Sequence, residues 1–204
     1  MMGLISNGTT IFDAGSLDSG LAKGALTFIK KLTASNASTL TFHNGSSGVV
    51  LDSTYKEYIF TFNNIHTSSD SGKFQFQGNA AGGADFNESM LSTYFHAQHN
   101  HGGTFTRLGY RTAHDNVGTG FTLFTEGGTG EDERSLCGHM HLYNPGSTTF
   151  IKHFVASTSN AHTDDYGTTV NIAGYFNTTS AIDEIRFQQS TGNFDGDICL
   201  YGIA

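Results

Sequence analysis

The chain has 204 residues and a formal net charge of −8, from 18 acidic and 10 basic residues. This length suits one domain with a substantial core. The acidic balance, without a basic cluster, argues against a phosphate-backbone partner, so no nucleic-acid binding is predicted. Charged residues make up only 14% of the chain, so the surface must consist mainly of neutral hydroxyls, amides and glycine. Such a surface is dehydrated at low cost, which suits either a subunit packed among others or a glycan-binding protein.

The sequence also argues against a membrane span and against secretion. No segment approaches the roughly 18 consecutive apolar residues of a membrane span, and residues 1–8 lack the basic start and apolar stretch of a secretory signal. The two cysteines, Cys137 and Cys199, form no Cys-x-x-Cys pair, so we expect two free buried thiols made in a reducing cytoplasm. A disulfide would require their strands to be neighbours, which the sequence leaves open.

Residues 1–24 are rich in Gly, Ser and Asp and contain two small apolar clusters, Leu4-Ile5 and Ile11-Phe12. This is too little apolar surface for the segment to fold alone. We expect an N-terminal arm that is held by its own subunit or by a neighbour, with Leu4, Ile5, Ile11 and Phe12 as anchor residues. Residues 25–204 are predicted to form the folded domain.

From residue 25 onward, short strands alternate with turns rich in Gly, Asn, Ser and Thr. Thr27–Leu32 and Ser38–Phe42 are predicted to form a first hairpin. Ile182–Gln189 and Asp197–Ile203 are predicted to form a last hairpin, whose final strand closes the domain. The predicted strands between them are 55–65, with Tyr58, Phe60 and Phe62 on one face, 73–77, the second half of 87–98, 121–124, 135–143, 150–157 and 169–177.

The number and spacing of these strands predict the fold class. Ten or eleven strands recur at intervals of roughly 8–18 residues, and no segment longer than 12 residues carries a helical stripe. The sequence therefore predicts an all-β protein, a jelly-roll-like antiparallel β-sandwich with a short N-terminal arm.

Histidine is abundant, with ten residues in the chain, three of them within 96–101. Period-two alternation places Cys137, His139 and His141 together on one face of a strand. Cys and His at this spacing could supply zinc ligands, but no second ligand group with matching spacing is present. We therefore expect a semi-polar outer face and predict no metal and no cofactor. A histidine-rich face could also make an assembly sensitive to pH near 6.

Other motifs point away from catalysis. Asn193–Asp197 alternates oxygen-bearing side chains around a glycine, as calcium loops do, but the closing Glu is absent and an Asp-Gly turn needs no metal. Acidic pairs in the chain are adjacent in sequence, whereas a glycosidase needs two carboxylates that face each other. No nucleophile elbow, Walker loop, Rossmann glycine pattern or His-Glu-x-x-His is present. The sequence therefore predicts no enzyme. The aromatic residues Tyr110, Tyr143 and Tyr166 could stack on sugar rings or belong to the core and rim.

Six segments of the chain carry a family resemblance: Gly3–Ile11, Leu32–Ser35, Gly48–Phe60, Leu142–Phe154, Ile172–Tyr175 and Leu200–Ile203. They resemble segments of small virion structural proteins from marine tailed phages, those of cyanobacteria and of abundant ocean heterotrophs. The resemblance runs from about residue 3 to the C-terminus.

The resemblance implies a protein of the virion that is assembled in the cytoplasm of the bacterial host and has a non-catalytic role. It identifies no functional residues in this chain. We expect a capsid decoration protein or a tail- or fibre-associated subunit, anchored to other virion proteins by its N-terminal arm. We also expect a homo-oligomer, with trimers as the arrangement common by analogy. The alternative expectation is a receptor-binding module that recognises a host surface glycan through loops at one end of the sandwich.

Overall fold

The structure is a computed structural model that describes residues 4–6, 9–13, 16–17, 25–128, 133–162 and 165–203, the first three segments by their backbone. The described residues form one turn of 3-10 helix, Thr112–His114, and none of their helical structure is long and apolar enough to span a bilayer. The strands are β1 Leu4–Ser6, β2 Thr9–Asp13, β3 Ser16–Leu17, β4 Leu26–Ala37, β5 Thr39–His43, β6 Glu57–Thr67, β7 Phe74–Ala80, β8 Met90–Asn100, β9 Thr106–Tyr110, β10 Val117–Gly118, β11 Thr122–Leu123, β12 Leu136–Tyr143, β13 Lys152–Ala161, β14 Tyr166–Phe176, β15 Ile182–Gln189 and β16 Phe194–Ile203.

Strands β4 to β16 form two antiparallel sheets packed around one core. The larger sheet has the strand order β10-β8-β14-β13-β12-β6-β16-β4, with β9 also paired to β8. The smaller sheet has the order β11-β7-β15-β5. The predicted all-β fold class is therefore confirmed as an antiparallel, sandwich-like arrangement, while a jelly-roll connectivity stays a prediction.

Both predicted hairpins are wrong, because in each case the chain passes from one sheet to the other. β4 and β5 are separated by Ser38 alone, yet β4 pairs with β16 and β5 pairs with β15. Likewise β15 lies between β5 and β7 in the smaller sheet, whereas β16 lies between β4 and β6 in the larger one. A bulge interrupts the β4–β16 ladder beside Asn36, whose φ of 51° is left-handed. Such bulges bend a strand, which here directs the chain out of its sheet.

The core between the sheets is built mainly from phenylalanine. Tyr58, Phe60 and Phe62 of β6 are buried on one face, as the alternation predicted. The ring centre of Phe187 in the smaller sheet lies 5.3 Å from those of both Phe60 and Phe62. Phe42 of β5 approaches Phe60 to the same 5.3 Å. Burial of each such ring stabilises the fold by about 1.5–3 kcal/mol, so these contacts hold the two sheets together.

The alternation of residues 73–77 is typical of a half-buried strand, but β7 is buried on both faces. Phe74 and Phe76 face the core, but Gln77 on the opposite face is also fully buried. Its amide nitrogen donates to the carbonyl oxygens of Glu88, Thr119 and Gly120 at 2.9–3.1 Å. The connections around these residues thus cover the face of β7 that a half-buried strand would leave open.

The first strands make a small sheet of their own. β1, β2 and β3 pair antiparallel, and the register places Leu4 opposite Phe12 and Ile5 opposite Thr10. Ile11 lies next to Phe12 on β2. The described residues of the N-terminal segment therefore form regular strands, while the anchoring role of the segment and its boundary at residue 24 stay predictions.

Candidate functional site

On four adjacent strands of the larger sheet, the outer face, which points away from the core, carries no formally charged side chain. Side chains on β8, β14, β13 and β12 alternate between the core and this face. None of the outward residues on these four fully described strands is Asp, Glu, Lys or Arg. They are Leu91, Thr93, Phe95, Ala97 and His99 on β8, Gly167, Thr169, Asn171, Ala173 and Tyr175 on β14, His153, Val155, Ser157, Ser159 and Ala161 on β13, and Cys137, His139, His141 and Tyr143 on β12.

Large apolar side chains are concentrated on one side of the outer face. Val117 of β10 is 81% exposed and pairs with Leu91, and Leu108 of β9 is 80% exposed and pairs with Ala97. Phe95 pairs with Tyr110 in the same way. Side chains directly opposite each other on paired strands are about 5 Å apart, so they form continuous surface. We define the apolar patch as Leu91, Phe95, Leu108, Tyr110 and Val117 on this side, together with Val155 two strands away on β13, all of them exposed. Patches of this kind mark interaction sites on soluble proteins.

The predicted row of Cys137, His139 and His141 lies on this outer face, as the alternation indicated. The ring centres of His139 and His141 are 5.2 Å apart. The Nδ1 atom of His141 is hydrogen-bonded to the carboxylate of Glu57 at the start of β6. Burial, and then the neighbouring His141, lower the pKa of His139. The Sγ atom of Cys137 instead accepts a hydrogen bond from the backbone N–H of Asn64 at 3.4 Å.

Both cysteines are free, and the geometry of the sheet keeps them apart. β6 lies between β12 and β16, so Cys137 and Cys199 are separated by at least two strand spacings, or more than about 10 Å. That distance is beyond the reach of a disulfide. The expectation that both thiols are buried is wrong, because both point to the outer face, where Cys137 is exposed and Cys199 half-buried.

The three histidines of residues 96–101 are not a cluster. His99 points to the outer face and His101 lies in the turn after β8, whereas His96 is completely buried in the core. There His96 contacts the carboxylate of Glu126, which also contacts the guanidinium of Arg111. The sequence analysis missed this buried ionic cluster. The sequence gives one signal for this cluster: the alternation of residues along β8 places His96 on the inward face together with Tyr94.

The candidate calcium loop uses its carboxylates for strand pairing. Asp195 accepts the backbone N–H of Asn36 at 2.8 Å. Asp197 accepts hydrogen bonds from the Thr33 hydroxyl at 2.6 Å and from the Lys31 ammonium at 3.0 Å. These contacts tie β16 to β4. In the part of the chain that the structure describes, no group of three or more His, Cys, Asp or Glu is arranged to hold a metal ion.

A cleft of about 260 Å³ lies at one end of the sandwich, bordered by the turn after β8, the β13–β14 turn and the residues before β12. Tyr166 lines it and stacks on Phe105 with ring centres 4.8 Å apart. Arg134 donates to the Asp165 carboxylate at 2.9 Å. Polar groups that line the cleft are His101, Glu133, Arg134, His162 and Asp165. Of the tyrosines singled out in the sequence, only Tyr166 lies here; Tyr110 and Tyr143 are on the outer face.

These features define a class of protein, an all-β sandwich with one broad, nearly uncharged sheet face. Comparison of the chain with protein-family models, curated proteins and solved structures found no match. Its function must therefore be inferred from its own residues.

Proposed function

We propose that the chain is a non-enzymatic structural subunit of a tailed-phage particle, joined to copies of itself through the outer face of the larger sheet. It would act in the virion as a capsid decoration protein or as a tail- or fibre-associated subunit. The observation that carries the proposal is the outer face, which lacks Asp, Glu, Lys and Arg on four adjacent strands and bears the apolar patch.

The charge distribution favours a second copy of the chain as the partner on this face. Two copies with a net charge of −8 each repel one another over most of their surfaces. On β8, β14, β13 and β12 the outer face is where they can approach without opposing like charges. The Glu57 carboxylate borders this area at the start of β6. Each exposed apolar side chain that is then covered contributes about 25 cal/mol per Å². Two copies that meet through the same face are related by a two-fold axis, so the contact proposed here builds a dimer, and the trimer expected from the resemblance would need a second, different contact.

The particle location is supported by the resemblance of six segments to marine phage virion proteins and by the N-terminal strands. We propose that Leu4, Ile5, Ile11 and Phe12 anchor the subunit to other virion proteins. Deletion of residues 1–24 should leave a folded sandwich that no longer joins particles. Normal occupancy of the truncated protein in virions would refute the anchor.

A charge placed on the outer face tests the assembly. Val155 is 46% exposed at the centre of β13, so Val155→Lys should fold normally but should not oligomerise. Its matched control is Thr39→Lys, at an exposed position of the smaller sheet. Light scattering coupled to size-exclusion chromatography should report oligomers for the wild type and for Thr39→Lys, and monomers for Val155→Lys. A wild type that stays monomeric at about 100 μM, a concentration that would reveal contacts of roughly −5 to −6 kcal/mol, would refute self-association.

The cleft beside Tyr166 favours one second function, the recognition of a host surface glycan. A tyrosine held by Phe105 next to several polar side chains offers both stacking and hydrogen bonds to a sugar ring. A glycan array should then show binding that Tyr166→Ala abolishes and Tyr143→Ala leaves intact. If the wild type binds no glycan, glycan recognition is refuted and only the structural role remains.

A further inference from the structure

The outer face contains a pair of histidines that the proposed assembly contact leaves without a specific role. His139 and His141 are two residues apart on β12 and therefore point to the same side of the sheet. Their ring centres are 5.2 Å apart with the ring planes at 76°. Two imidazoles that bind one zinc ion at the tetrahedral angle, with Zn–N distances of about 2.0–2.1 Å, place their ring centres about 5 Å apart. The spacing of the pair is thus suited to one tetrahedral ion.

The carboxylate of Glu57 prepares His141 for such a role. It is hydrogen-bonded to Nδ1 of His141, and a neutral imidazole that donates from Nδ1 carries its lone pair on Nε2. A carboxylate behind a ligating histidine is the usual arrangement around protein-bound zinc, since it fixes the tautomer and orients the ring.

One chain alone supplies too few donors. Cys137 lies four residues from His141, about 13 Å along an extended strand, so the three cannot share one ion. Structural zinc sites are closed by four protein ligands. Half of such a site on a face that meets another copy would be completed by the same two histidines of that copy.

We propose that His139 and His141 form half of a zinc site that a second copy of the chain completes across the outer face. This inference rests on the proposed self-association. The two Glu57 carboxylates, one behind each His141, balance the double positive charge of the ion. Zinc would then lock the contact by directional bonds that the apolar patch does not provide.

The amount of zinc bound per chain and the molar mass of the protein, measured on the same sample, test the proposal. The purified protein is freed of metal with EDTA, dialysed against 20 μM zinc chloride, and analysed for bound zinc and for molar mass. We expect about 0.5 zinc per chain in the oligomer, because a four-histidine site needs two chains. The double variant His139→Asn/His141→Asn should bind at most a tenth of that amount. His153→Asn, an exposed histidine on the neighbouring strand of the same face, is the matched control and should bind zinc like the wild type.

The outcomes separate the zinc site from the assembly itself. Oligomers that form equally well in EDTA and in zinc, with no zinc bound, would overturn the site but leave the self-association in place. About one zinc per chain on a monomer would overturn the bridging arrangement. Zinc retained by the double variant would place the site elsewhere, and monomers under every condition would refute self-association as well.

Discussion

Glu126 contacts the Nδ1 atom of His96 inside the sandwich, where His96 has no exposure to solvent. The same carboxylate contacts Nη2 of Arg111, whose side chain is 29% exposed. One carboxylate therefore satisfies two nitrogen-bearing side chains that come from β8 and from the residue after β9. A buried polar group that loses its partner costs far more than the pair contributes, so this contact is a sensitive point of the fold.

Replacement of Glu126 by Gln should destabilise the protein by about 3 kcal/mol, because it removes the carboxylate that Arg111 and the buried His96 share. Urea denaturation followed by far-UV circular dichroism measures the loss. Glu133→Gln is the control, since Glu133 is exposed, and its effect should stay within about 0.5 kcal/mol. Equal effects of the two substitutions would contradict the assigned role of Glu126.

The stability should fall as the pH drops through the histidine range. Burial, then Lys73 and Arg111, lower the pKa of His114 below its ordinary 6.5. Between the folded and unfolded pKa values the unfolded chain binds more protons, so the free energy of unfolding decreases as the pH falls below about 6.5. His139 acts in the same direction.

His114→Asn should flatten this dependence, measured as the difference in unfolding free energy between pH 7.5 and pH 5.5. Glu126 and His96 also face His114 electrostatically, with opposite signs, and both remain in the variant. His101→Asn, in the exposed turn after β8, should keep the wild-type slope. A wild type that gains stability towards pH 5.5 would disprove the prediction.

Gly202 should not tolerate a side chain. A Cβ atom at this position of β16 would lie 2.3–2.6 Å from ring atoms of Tyr55, so Gly202→Ala must displace that ring. We expect a loss of about 1–3 kcal/mol, the usual range for overpacking. Gly167→Ala on β14 is the matched control, because the nearest atom to its Cβ would be the carbonyl oxygen of His99 at 3.8 Å. Thermal unfolding of the two variants should differ clearly; similar melting temperatures would mean that Tyr55 moves aside freely.

Cys137 should report whether the outer face is covered. Its thiol is exposed in the single chain, whereas Cys199 is half-buried. In dilute solution with EDTA, a thiol reagent should react with Cys137 faster than with Cys199. The labelling should therefore show a fast phase, which Cys137→Ser should remove. Oligomerisation should slow that phase in the wild type. A fast phase that is unchanged in the oligomer would place the contact on another surface.

Alternation of residue types predicted the strands well but not their partners. β15 begins and ends at the predicted Ile182 and Gln189, because every second side chain there enters the core. The same alternation is found whether two successive strands pair with each other in one sheet or lie in different sheets. Only the bulge beside Asn36 and the pairing with distant strands decide between these, and neither is encoded in the local pattern of hydrophobic residues.

The surface chemistry was partly predictable for the same reason. The low content of charged residues predicted a neutral surface, and period two placed His139 and His141 on one face. Which strands lie side by side was not predictable, so the sequence did not indicate that the uncharged faces of β8, β14, β13 and β12 are contiguous. His96 on β8 and Glu126 in a loop are 30 positions apart in the sequence. No local pattern of residues specifies a contact between them.

The interleaving of β15 and β16 among the earliest strands of the sandwich has a consequence for biosynthesis. Before β15 and β16 have been translated, the strand that pairs with both β5 and β7 is missing, and so is the strand that pairs with both β4 and β6. Neither position can be filled until β15 and β16 have been synthesised, so these pairings form late and slowly, as expected for strands this far apart along the chain. A nascent polypeptide halted before Ile182 would present four unpaired strand edges at once, and it would depend on chaperones to stay out of aggregates.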